Sequence, residues 1–230
     1  VAFTLIQARS VSLIEAARAG EGGPADADRA SAELRADFER WGRWGLGLIA
    51  FAVAVGSSFI AVGLLGTVLM LGGFPMGLDL AICLVATAAA LGGIELLIRL
   101  WWTGRRLVTA AAWWLRLPYE NGGRSRRHGG WLHARTINFE PPIFARLVTA
   151  TLSCLIAIGT AALVVRDLNV GITSLTAAAA VVAVISGLSR LGQAGGVMRL
   201  VAGVSEGDPL RERVRSLFSG RSPRSKRSRR

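Results

Sequence analysis

Reactive side chains are scarce in this chain. Its 230 residues include two cysteines, two histidines and one tyrosine. Charged residues make up 18% of it, against roughly 25% in an ordinary soluble domain. Each shortage excludes something. His128 and His133 lie in a Gly/Arg-rich stretch without cysteine or acidic neighbours at ligand spacing, so no zinc site is expected. No histidine falls in an apolar run, which excludes a bis-histidine haem held by this chain alone. Cys83 and Cys154 sit in different apolar runs, so small-residue packing is expected of them rather than a disulfide.

The usual catalytic signatures are missing as well. There is no phosphate-binding glycine loop with a lysine, no acidic pair set for metal-assisted transfer, and no serine or cysteine placed with a base. Ser57 and Ser58 read as hydroxyls bonded to the preceding helical turn. The expectation is a protein that is not an enzyme and carries no cofactor.

Apolar residues, in contrast, are abundant and massed. They make up 52% of the chain and raise its mean hydropathy to +0.45. A helix needs roughly 20 apolar residues to cross a hydrocarbon core of about 30 Å, and four stretches approach or exceed that. The first runs from Gly45 to Leu71 and is followed by turn residues Gly72, Gly73 and Pro75. The second covers Leu80 to Ile98, the third Leu147 to Val165 and the fourth Leu168 to Ser189. Short connections after the first and third predict antiparallel pairs. The expected fold is therefore an all-α integral membrane protein of four transmembrane helices in two antiparallel hairpins. Amphipathic cytoplasmic helices would lie at the N-terminus, in the central loop and in the C-terminal tail.

In segments, this gives an N-terminal helical arm (1–44), a first hairpin (45–100) and a loop with an interfacial helix (101–145). A second hairpin (146–190), an amphipathic segment (191–218) and a disordered Arg-rich tail (219–230) complete the chain.

Basic residues set the expected orientation, because those near span ends are retained on the cytoplasmic side. Of the 27, six lie within residues 1–45, nine between Arg99 and Arg146, and eleven from Arg190 onward. Only Arg166 falls in a short turn. Both termini are thus expected in the cytoplasm, with the bacterial cytoplasmic membrane as the location. The start VAFTLIQARSVSL lacks a basic n-region and a long apolar run, so it is not read as a secretory signal.

All seven tryptophans fall on the same predicted side: Trp41, Trp44, Trp101, Trp102, Trp113, Trp114 and Trp131. Indole rings favour the headgroup region. On a helical wheel of Leu100 to Leu117, the residues Leu100, Leu107, Val108, Ala111, Trp114 and Leu115 share one face. Arg99, Arg105, Arg106 and Arg116 share another, with Trp102 and Trp113 beside them. That pattern suits a helix lying in the interface plane, ended by Pro118; packing against protein, or prolonging the second span, are the alternatives.

Upstream, Asp28 is placed to cap a charged helix in which Arg35, Glu39 and Arg43 follow at i,i+4. Leu34, Phe38 and Trp41 make its apolar stripe, and a weaker face runs through Ala2, Phe3, Ile6, Leu13, Ile14 and Ala17. Downstream, Asp208 and Pro209 start a helix whose apolar face is Leu210, Val214, Leu217 and Phe218. The basic tail then carries Arg221, Arg224, Lys226, Arg227, Arg229 and Arg230. Anionic phospholipid headgroups are its expected partner. Nucleic acid is not expected, because no reading motif accompanies the charge.

One ionisable residue lies well inside a predicted span. Glu95 has Arg99 four residues on, near the cytoplasmic end, and the two are expected to form an intramembrane ion pair. Small residues give close-approach spacing at Ala88/Gly92 and Ala89/Gly93, with Gly56, Gly63, Gly159 and Ala162 on other spans. From these features the expected function is a non-catalytic subunit that associates with and stabilises or tethers a larger membrane assembly. The alternative is a small homo-oligomeric transporter or channel lined by hydroxyls such as Ser58, Thr87, Thr149, Thr151, Ser153, Thr160 and Thr176.

Overall fold

A computed structural model describes residues 5–71, 77–120, 141–169 and 171–204, and among these helix is the only regular secondary structure. The six helices are α1 (Ala8–Ala19), α2 (Ala27–Glu39), α3 (Trp41–Leu71), α4 (Gly77–Glu120), α5 (Pro141–Asp167) and α6 (Ser174–Val204). Three stretches contain a helix long and apolar enough to cross a membrane: 27–66, Gly77–Glu120 and Pro141–Asp167. The described residues are accordingly all-helical, of the kind that integrates into a membrane. The apolar part of α6, Ser174–Ser189, belongs to a shorter class of 10–17 residues.

Helix ends depart from the wheel reading in four places. α2 starts at Ala27, so Asp28 lies in the first turn instead of capping it. α4 continues through Pro118 to Glu120 without a break after the second apolar run. Leu168 and Asn169 form a turn, and α6 begins only at Ser174, where Thr173 accepts from the Thr176 N–H at 3.2 Å. At its other end α6 runs on to Val204, so the start of the segment read as a separate amphipathic element prolongs this helix. The expected helix from Asp208 and the basic tail lie outside the described residues, as do His128, Trp131 and His133.

The chain divides into two units. The first draws on residues 5, 39–71, 77–105, 144–169 and 171–196. Here the side chains are sorted by size in the opposite sense to a soluble core. Ala50, Ala54, Ala61, Ala86, Ala90, Ala150, Ala178 and Ala179 are buried, while Ile49, Leu84, Val85, Leu91, Leu155, Ile158 and Leu188 are exposed. Small residues let helix backbones approach, and large apolar ones face outward where lipid tails can cover them. Contacts between α3 and α4 step in opposite directions along the two helices: Gly47 lies near Leu100, Gly93 near Ala50 and Ala54, and Ala61 near Cys83. The approach is closest at Gly93, where a Cβ would sit 2.9 Å from the Ala50 carbonyl oxygen and the Ala54 nitrogen.

The second unit draws on residues 6–38, 106–120, 141–143 and 197–204 and has an ordinary apolar core. Ile14 of α1, Ala27, Ala30, Leu34 and Phe38 of α2, and Leu107, Val108, Ala111, Trp114 and Leu117 of α4 are all buried. Gly20 ends α1 in the left-handed conformation, φ 72°, where a Cβ would be strained. At the other end of α1 the Gln7 N–H donates to Asp37 Oδ2 at 2.9 Å, placing a buried carboxylate at the positive end of the helix dipole.

Candidate functional site

In the first unit, the start of α3 is built around Arg43. Its side chain is only 4% exposed. The guanidinium donates to the Leu5 carbonyl, the Leu100 carbonyl and Thr103 Oγ1, each at 2.6 Å. Charged donors at such distances make strong hydrogen bonds, so one side chain ties residue 5, α3 and α4 together. Arg146, at the start of α5, is likewise buried and within electrostatic reach of Glu39. The burial of Arg43 was not legible from the sequence, because its partners are two backbone carbonyls and a threonine hydroxyl 38 to 60 residues away.

Around this hub lies a layer of aromatic and cationic groups. Trp41 is exposed and stacks edge-on against half-buried Trp44, with ring centroids 5.5 Å apart. Trp101 and Trp102, both exposed, make a similar pair at 5.3 Å, and the Arg105 guanidinium sits 5.7 Å from the Trp101 ring centroid. This is cation–π range. Gly192 of α6 packs on Trp101, where a Cβ would meet the ring at 2.9 Å. Residues from α3, α4 and α6 therefore share one level, with amphipathic rings directed outward.

The remaining predicted interface residues lie in the second unit. Trp114 belongs to the second unit, is 3% exposed, and donates from Nε1 to the Leu13 carbonyl at 3.1 Å. Gly22 packs directly on its ring. Trp113 is half-buried, with its ring 4.9 Å from that of Trp114, and Arg106 and Arg116 are exposed. The apolar face found on the wheel is thus covered by protein here.

Glu95 and Arg99 meet as an ion pair, Arg99 Nε donating to Glu95 Oε1 at 2.6 Å. The hydroxyls considered for a polar pathway are mostly spent on their own helices. Thr87, Thr149, Thr151, Ser153 and Thr160 donate to carbonyls of the preceding turn at 2.7–3.0 Å. Thr176 differs, donating to Asp167 Oδ2 at 2.5 Å, and Asp167 also accepts from Arg166 Nε at 2.8 Å. That cluster locks the turn between α5 and α6. Ser186, absent from the sequence-based candidates, is fully buried with no hydrogen-bond partner for its hydroxyl.

No family model, curated protein or solved structure matches the chain. Among the described residues no group of three or more His, Cys, Asp or Glu side chains is placed to hold a metal ion. The chemistry on display is that of surfaces: outward apolar helices, an aromatic and arginine layer, and a separately cored helical unit.

Proposed function

We propose that the chain is a non-catalytic integral membrane subunit that associates with, and stabilises or tethers, a larger membrane protein assembly. In this reading α3, the first part of α4, α5 and α6 are four spans arranged as two antiparallel hairpins. Exposed Leu168 and Ile172 supplement the short apolar part of α6. Both termini and the second unit are cytoplasmic, in a bacterial cytoplasmic membrane. The Trp41, Trp44, Trp101 and Trp102 layer lies at the headgroups, with Arg105 and the basic tail on anionic phospholipid.

The observation that carries the reading is the continuity of α4. Its 44 residues supply small residues to the first unit and a core-forming apolar face to the second. At 1.5 Å per residue such a helix is about 66 Å long, more than twice a hydrocarbon core of about 30 Å. In this reading the second unit, with its own apolar core, is the docking element.

Purification of the full chain in mild detergent, followed by mass spectrometry of co-purifying chains, tests the proposal. A fixed, stoichiometric partner set is expected. Recovery of the chain with no other protein in stoichiometric amount would overturn it.

A further inference from the structure

We infer that Arg105 and the Trp101 ring beneath it form a binding site for the phosphodiester of one anionic phospholipid, whose acyl chains follow the outward face of α4. The inference deepens the headgroup placement of this layer proposed above, and rests on it. At about 100° per residue, Leu84, Leu91, Ile98, Trp102 and Arg105 fall within an arc of about 60°. All five are exposed. Large aliphatic side chains thus run along one side of the helix and end at an indole and a guanidinium. Leu91 and Arg105 are 14 residues apart, about 21 Å at 1.5 Å per residue. That is half of a bilayer of about 40–45 Å with its headgroups, so the stripe has the length and polarity of one lipid molecule.

The polar end of that stripe holds donors without acceptors. Arg43, Arg99 and Arg166 of the first unit direct their guanidinium groups to acceptors within the chain. Arg105 has no such acceptor among the described residues, and its contact there is the Trp101 ring. The indole N–H groups of Trp41, Trp44, Trp101 and Trp102 also lack acceptors among the described residues, unlike that of Trp114. Guanidinium and indole groups donate and cannot accept. Glu95, the one carboxylate between Asp79 and Glu120, is bonded to Arg99. An occupant of this level must therefore bring both acceptors and negative charge. A phosphodiester brings both, and its two free oxygens match the fork of a guanidinium. A soluble phosphate would satisfy the donors but leave the aliphatic stripe uncovered. The site also selects the headgroup. An open tryptophan face would take the quaternary ammonium of phosphatidylcholine, but Trp101 already carries the Arg105 cation, which repels a second one. Phosphatidylglycerol, with no cation, is preferred. The ring is held in place by α6, whose Gly192 lies so near that a Cβ would meet it at 2.9 Å.

Native mass spectrometry of the full chain in detergent, titrated with phosphatidylglycerol or phosphatidylcholine of the same acyl chains, tests this. One phosphatidylglycerol should be retained at least fivefold more tightly than phosphatidylcholine. Arg105→Gln should weaken phosphatidylglycerol binding at least fivefold. Arg18→Gln, which removes the same charge from an exposed position on α1, should change it less than twofold. Equal retention of the two lipids, or equal losses in the two variants, would overturn the site. Arg105→Lys, charged but without the planar fork, should fall between parent and Arg105→Gln, and parent-like binding by it would overturn the role of the stacked guanidinium. Glycerol 3-phosphate in about a hundredfold excess should leave the bound lipid in place; its displacement would make soluble phosphate the ligand and overturn the lipid. Labelling of Leu91→Cys by a membrane-impermeant maleimide in native membranes, in a Cys83→Ser, Cys154→Ser background, would refute the membrane placement of α4 itself. Protection of Leu91→Cys without a preference for phosphatidylglycerol would refute only the lipid site.

Discussion

Replacing Trp114 with alanine discriminates between a helix resting on lipid and the centre of a protein core. The indole is 3% exposed, its N–H donates to the Leu13 carbonyl at 3.1 Å, and Gly22 is pressed against its ring. Burial of about 200 Å² of aromatic surface at about 25 cal/mol per Å² gives about 5 kcal/mol as an upper bound. Measured truncations of buried Trp or Phe cost about 3–5 kcal/mol. Some of that cost here comes from leaving the Leu13 carbonyl without its donor, about 1 kcal/mol. At about 1.4 kcal/mol per tenfold, opening of the second unit should become about a hundredfold to a thousandfold more frequent. Hydrogen–deuterium exchange of the full chain in lipid nanodiscs reads this directly. Peptides from α1 and α2 should exchange at least a hundredfold faster in Trp114→Ala, while peptides from the middle of α3 stay unchanged. Trp114→Phe, which keeps a large ring and loses the N–H, should accelerate them about tenfold. Protection of α1 and α2 within about threefold of the parent would refute the argument, since that is what a tryptophan lying on lipid would give.

Three further substitutions follow from the same packing. Gly22→Ala puts a Cβ onto the Trp114 ring; overpacking of this kind costs about 1–3 kcal/mol, so the same α1 and α2 peptides should lose protection, and unchanged exchange would contradict the contact. Arg43→Gln removes a buried cation from three acceptors; a cost of about 3 kcal/mol should lower the detergent unfolding midpoint by about 5–10 °C, Arg43→Lys should recover only part, and an unaltered midpoint would refute the hub. Gly93→Leu should destabilise the packing of α3 on α4, whereas Gly159→Leu, where a Cβ meets nothing within 4 Å, should leave the midpoint in place. Equal behaviour of the two glycines would refute the assignment of Gly93 to the interior.

The wheel of Leu100–Leu117 shows how far local pattern reaches. It grouped Leu107, Val108, Ala111 and Trp114 on one face, and all four are buried. What it lacked was the occupant, because α1 and α2 precede that face by some 70 to 100 residues. Arg43 escaped for a related reason. In the chain it marks the edge of an uncharged run, while two of its acceptors are backbone carbonyls, which carry no sequence signature. The glycine spacings were visible but not their direction: Gly92 and Gly93 are neighbours, yet one is open and the other abuts the α3 backbone.

Helicity and membrane character were determined by the sequence alone, since both depend on quantities counted along the chain: the length of each uncharged run and the scarcity of charge within it. The clustering of arginine and tryptophan between those runs is equally local. Tertiary structure alone decided which apolar surfaces are satisfied by protein. A helical face points in a direction set by its own residues, but its burial depends on a second segment arriving there. α1 and α2 arrive over Trp114, and nothing described within the chain arrives over Ala88, Gly92 and Glu95.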